Sequence, residues 1–156
     1  MVDFFLSSLL FQCLYISYID VTSRTITNFQ LLLLIFVHLF IFMSFHWDVL
    51  TYSILIVLCS GWVIYTLGLL GAGDIKYAAV LSLSLPMDLL SQALLLTTLT
   101  GGVLAFIYLL LHLVRRVKAN LYKGMEEVQY NPGIPYGVAI SVGFYVMIFS
   151  HWVNYL

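Results

Sequence analysis

Gly71-Ala72-Gly73-Asp74-Ile75-Lys76 places a carboxylate behind two glycines, between long apolar runs in a chain with almost no charge. Burying a charge in hydrocarbon is costly, so an acid at such a place marks a functional site by default. Glycines weaken a helix and need a reason to be there. Gly71 and Gly73 let backbones approach closely, as at a helix–helix contact, or expose amides to a bound strand. Asp20 ends an earlier apolar run in the same way.

Working outward, the chain of 156 residues is 63% hydrophobic and 8% charged. Soluble domains have about 45–50% apolar and about 25% charged residues, so the expected class is an all-α, polytopic membrane protein in a single membrane-embedded domain over 1–156. The net charge of −1 gives no basic field that would suggest nucleic acid. Cys13 and Cys59 form no CxxC pair, and both lie inside apolar runs as expected buried small side chains. The first run carries Asp3 where a signal peptide has a basic region, and it ends without a small-residue cleavage site. It therefore reads as a retained span.

Six apolar runs are present, roughly 2–19, 29–45, 49–70, 71–87, 89–113 and 134–154. A transmembrane helix needs about 20 residues. The fourth run reaches that length only when 71–74 is included, which puts Asp74 at or just below the membrane surface. In a six-span topology Arg24, Lys76, Arg115, Arg116, Lys118 and Lys123 all fall on one side, and the positive-inside rule makes that side cytoplasmic. Asp3, Asp48 and Asp88 fall on the other. Both termini then face outward, and Asp20 and Asp74 both sit at cytoplasmic helix ends. The polar segment 114–133 has a basic half suited to anionic lipid headgroups, and Glu126 and Glu127 fit equally a site that attracts a basic substrate segment and an ordinary solvated loop.

Two carboxylates held together in a partly dry site cannot both ionise cheaply. Sharing a proton lets one act as base for water while the other donates to a scissile carbonyl, the aspartic-protease arrangement. It requires no cofactor and no metal. Helix dipoles suggest that Asp74, opening a helix, is the anion and that Asp20, closing one, is the proton donor. Arg24, one turn beyond Asp20, is an expected i,i+4 partner, and Asn28 is the expected cap of the next helix. His38, His46, His112 and His151 are scattered over different runs and form no metal or catalytic motif. A proton- or cation-coupled transporter and a non-enzymatic assembly scaffold are competing readings. A transporter site, however, belongs near the midplane rather than at one face.

The motif Asp20-Val21-Thr22-Ser23-Arg24-Thr25-Ile26-Thr27-Asn28, the stretch Gly71–Lys76 and the closing Pro135-Tyr136-Gly137-Val138-Ala139-Ile140 together resemble the type IV prepilin peptidase family of GxGD aspartyl proteases. The resemblance covers nearly the whole chain, with Thr27 where the family often has proline. It implies Asp20 and Asp74 as the catalytic pair, with Gly71, Gly73, Lys76, Arg24, Asn28, Pro135, Tyr136 and Gly137 as supporting residues. It further implies cleavage of prepilin leaders at the cytoplasmic face of the cytoplasmic membrane. Larger members carry an N-terminal segment with paired cysteines and also N-methylate the new terminus. This chain begins its first span at once, so the short, protease-only type associated with tight-adherence (Flp) pili is expected, with archaeal preflagellin peptidases close by. Mass spectrometry of mature pilin processed by this chain alone is accordingly expected to show a free amino terminus without an added methyl group.

Overall fold

The computed structural model describes residues 2–45, 50–121 and 133–154. It forms α1 (Val2–Ser23), α2 (Asn28–Phe45), α3 (Leu50–Thr66), α4 (Ala72–Leu81), α5 (Met87–Leu121) and α6 (Tyr136–Asn154). A short 3₁₀ turn, Ser82–Ser84, follows α4. The protein is an all-helical, polytopic membrane protein, as the composition predicts. Within α1, α5 and α6, the stretches Asp3–Ser23, Met87–Val114 and Tyr136–Val153 are long and apolar enough to cross a bilayer. Asn28–Leu39 and Tyr52–Thr66 form shorter apolar stretches.

The core gathers where α1, α4 and α6 meet, around Leu9, Ile16, Tyr77, Leu81, Phe144 and Ile148, all almost fully buried. Outside it, Leu95, Leu99, Val103 and Phe106 on α5 are exposed. In a bilayer such a surface faces lipid at no hydrophobic cost. Small residues draw helices together. A Cβ on Gly61 of α3 would collide with Ile75 of α4, and one on Gly143 of α6 would collide with Thr97 of α5.

The fourth run departs from a continuous span. α4 has only ten residues, about 15 Å of rise, or half a bilayer core. Pro86 ends the run by removing a backbone donor and pushing the residue before it out of the helical region. Leu85 is indeed extended, with φ −120° and ψ 129°. The broken segment still runs along α3, because Ile75 meets Gly61 and the Leu85 carbonyl accepts from Ser53 Oγ at 3.0 Å. Ser53 thereby satisfies a backbone group that has no water to turn to.

Two boundaries shift. α5 runs past the expected end of its apolar run to Leu121, so the basic positions Arg115, Arg116 and Lys118 lie on a continuing helix rather than in a loop. Beyond residue 113 this extension adds about 12 Å. α6 starts directly after Pro135, where a proline costs no helical hydrogen bond. Asp48, His46, Lys123, Glu126 and Glu127 lie outside the described residues. Cys13 is buried as expected, but Cys59 is exposed on the outer face of α3.

Candidate active site

Asp20 occupies the last turn of α1 and is 5% exposed. Its Oδ2 accepts a hydrogen bond from the backbone N–H of Gly137 at 2.7 Å. That N–H belongs to the first turn of α6, where amides have no partner within the helix. A carboxylate from another helix therefore satisfies it, in a short, charge-assisted bond. Only glycine allows the approach. A Cβ at position 137 would lie 2.8 Å from Asp20 Oδ2 and 3.1 Å from both Asp20 Cβ and Cγ.

Asp74 is the third residue of α4 and is half-buried. Its Oδ2 turns back to accept the Gly71 N–H at 3.3 Å, one half of a capping box. Gly71 is extended, and a Cβ there would sit 3.1 Å from the same oxygen. Gly73 lies against the turn between α1 and α2: a Cβ on it would be 3.3 Å from Ile26 Cβ. That contact brings the start of α4 beside the end of α1. The two carboxylates are near enough for the charge on Asp20 to act on Asp74.

The supporting residues fall around this pair, two of them in roles other than expected. Lys76 Nζ donates to Asn28 Oδ1 at 3.3 Å, which links α4 to α2. Asn28 is thus the first residue of α2 rather than its cap. The cap is Thr27, whose N–H donates to Gln30 Oε1 at 2.8 Å while its Oγ1 accepts the Gln30 N–H at 3.4 Å. The departure from proline at this position therefore has a use. Arg24 takes a left-handed φ of 55°, rare for a non-glycine residue. This sends its guanidinium to α5, where Nη2 donates to the Tyr108 hydroxyl at 3.3 Å and Cζ lies 5.3 Å from the ring centroid. The direct i,i+4 pairing gives way to this contact, although the Arg24 charge is still felt at Asp20. Tyr136 faces α5 at Gly101, where a Cβ would be 4.0 Å from its ring. Pro135 is buried just ahead of α6.

One group of residues was not singled out from the sequence. Ser17, Tyr77 and Ser141 lie one helical turn from Asp20, Asp74 and Gly137, and their hydroxyls meet beneath the acids at 2.8 Å from Ser141 Oγ. The signal was present as hydroxyls at i±3 or i+4 of motif residues, but nothing in the sequence ties the three turns together. His38 is buried elsewhere, with Nδ1 2.7 Å from the Leu34 carbonyl and its ring edge-on to Phe5.

Residues 7–106 match the family model described as the type IV leader peptidase family. No curated protein and no solved structure matches the chain. The matched range holds Asp20 and Gly71–Lys76, while Gly137 lies beyond it and joins them through the fold.

Proposed function

The chain belongs to the type IV leader peptidase family, and from that premise we propose that it is a membrane aspartyl endopeptidase that removes prepilin leader peptides at the cytoplasmic face. The observation that carries this reading is the meeting of the ends of α1, α4 and α6, which sets Asp20 and Asp74 within electrostatic reach. A site at helix ends favours a substrate approaching from one face over an ion crossing at the midplane. The reading is of a protease without N-methyltransferase activity, of the Flp-pilus kind, with no cofactor. Incubating the purified protein with candidate prepilins in detergent and sequencing the product amino terminus tests it. Intact prepilin after prolonged incubation with a folded enzyme would rule it out.

In this mechanism one carboxylate takes a proton from water as the oxygen attacks the scissile carbonyl. The protonated partner donates to the carbonyl oxygen, and the tetrahedral intermediate collapses as a proton passes to the leaving amine. Helix dipoles alone assign the anion to Asp74. Hydrogen bonding favours the reverse. The 2.7 Å bond from Gly137 gives Asp20 the positive end of α6, which outweighs the unfavourable end of α1, whereas Asp74 has only the 3.3 Å contact to Gly71. Asp20 is then the base and Asp74 the donor. Infrared difference spectra should lose the resting protonated-carboxyl band in Asp74→Asn and keep it in Asp20→Asn; the opposite pattern would return the base to Asp74.

The same reading places both termini outside and Lys76, Arg24 and the end of α5 in the cytoplasm. In a variant lacking Cys13 and Cys59, single cysteines replacing Asp48 and Lys118 should react with an impermeant thiol reagent from opposite sides of the membrane. Labelling of both from one side would break the six-crossing topology.

A further inference from the structure

One turn below the acids, three hydroxyls from three helices converge. Tyr77 is fully buried, and its hydroxyl lies 2.8 Å from Ser141 Oγ. Ser17 Oγ donates to the same oxygen at 2.8 Å. Ser141 Oγ in turn donates to the Gly137 carbonyl at 2.7 Å, with the Cys13 carbonyl a longer acceptor at 3.3 Å. The proton count closes. Ser141 gives its one hydrogen to Gly137 and accepts from both Ser17 and Tyr77, so each hydroxyl hydrogen is used, and the Cys13 thiol is a further partner of the Tyr77 hydroxyl. Such a satisfied node in a medium without water admits few alternative arrangements.

The node repeats, one turn down, the set of helices that forms the site. Ser17 lies three residues before Asp20 on α1, Tyr77 three residues after Asp74 on α4, and Ser141 four residues after Gly137 on α6. Residues at these spacings share a helix face. Fixing the lower turn therefore fixes the rotation and depth of the upper one. α4 needs this most, because it is a ten-residue helix that ends in a broken segment, and its own cap contact at Gly71 is long.

We propose that Tyr77 is a positioning residue: its hydroxyl, held by Ser141, sets the rotation of α4 so that Asp74 faces Asp20. The role in cleavage rests on the protease reading above, whereas the geometric role does not. Tyr77→Phe keeps the ring and its packing and removes only the hydroxyl, and Ser141→Ala removes the other half of the bond.

The test reads geometry and activity separately. In a chain carrying Cys59→Ala and Cys13→Ser, which keeps a hydrogen-bonding group against the Tyr77 hydroxyl, Asp20→Cys and Asp74→Cys are joined by a short bifunctional thiol reagent, and the cross-linking rate is followed with Tyr77 or Phe at position 77. Loss of the anchor should slow cross-linking about fivefold. In the catalytic chain it should lower kcat for prepilin about tenfold while leaving KM within about twofold, since small misplacements of reacting groups cost rate rather than binding. Tyr77→Phe and Ser141→Ala should be strongly non-additive, the double variant being no worse than about twofold below either single one. If Ser141→Ala does not fold, Ser17→Ala is the second variant, because it removes one arm and leaves the Tyr77 bond; it should have a smaller effect in the same direction. An unchanged cross-linking rate in Tyr77→Phe would overturn the proposal. Slowed cross-linking supports it even where the wild-type chain fails to cleave prepilin, an outcome that would count against the protease reading alone.

Discussion

Asparagine in place of either Asp20 or Asp74 should lower prepilin cleavage by about 10³-fold or more, the scale on which a positioned acid or base contributes. The substitution keeps size and shape. An asparagine at position 20 can still present an oxygen to the Gly137 N–H, and one at position 74 can still accept from Gly71. Both variants should therefore insert and unfold at nearly the wild-type temperature. Each loses a different capacity: with Asp20→Asn no anion remains to take the proton from water, and with Asp74→Asn no acid remains to donate to the carbonyl oxygen. Either loss stops the cycle, so the double variant should be about as inactive as the singles, in keeping with the non-additivity of groups that act as a unit. Substantial cleavage by either single variant would remove the pair from the mechanism.

The second large effect is expected at a residue that carries no side chain. Gly137→Ala should reduce kcat about 10²-fold, the cost of displacing a reacting group by an ångström or less. The new methyl carbon would stand 2.8 Å from Asp20 Oδ2 and 3.1 Å from its Cβ. Asp20 is buried and cannot swing aside freely. The helix itself loses nothing by the change, since alanine has a higher helix propensity than glycine. A drop in activity without a drop in thermal stability would therefore locate the damage at Asp20. Gly102→Ala is the matched control, because a Cβ there meets nothing within 4 Å. It should cleave at the wild-type rate. Equal activity of Gly137→Ala and Gly102→Ala would show that the amide contact to Asp20 is dispensable.

How far the sequence could be read depended on the range of the forces involved. Apolar composition and run length report burial in hydrocarbon, which acts residue by residue, so the all-helical membrane class was legible before any contact was known. The two acids were legible for the same reason, since a charge in such surroundings stands out alone. What could not be read were features that require two distant segments at once. The Gly137 N–H reaches Asp20 across 117 residues of chain, and Ser17, Tyr77 and Ser141 look like ordinary minor polar residues until their helices are brought together. The fourth run is an intermediate case. Hydropathy treats 71–87 as one block, yet Pro86 already argues for a break in it. Asparagine favours the cap position, which makes Asn28 the natural candidate by residue type. The neighbouring Thr27 and Gln30 form the reciprocal pair instead, and Asn28 is left to Lys76.

The broken helix beside α3 also constrains how the chain is made. α4 contains Asp74 and Lys76 within ten residues and is too short to partition into a bilayer as an autonomous unit. Its last carbonyls are met locally by the backbone and hydroxyl of Ser82, but the carbonyl of the extended Leu85 finds its side-chain partner only once Ser53 is in place. α3 therefore supplies what α4 lacks, which favours insertion of the two together as a hairpin. The acid at the tip of that hairpin is delivered to the surface by the partner helix. During biogenesis the order of synthesis, with α3 emerging first, matches the order in which the membrane can accept the pieces.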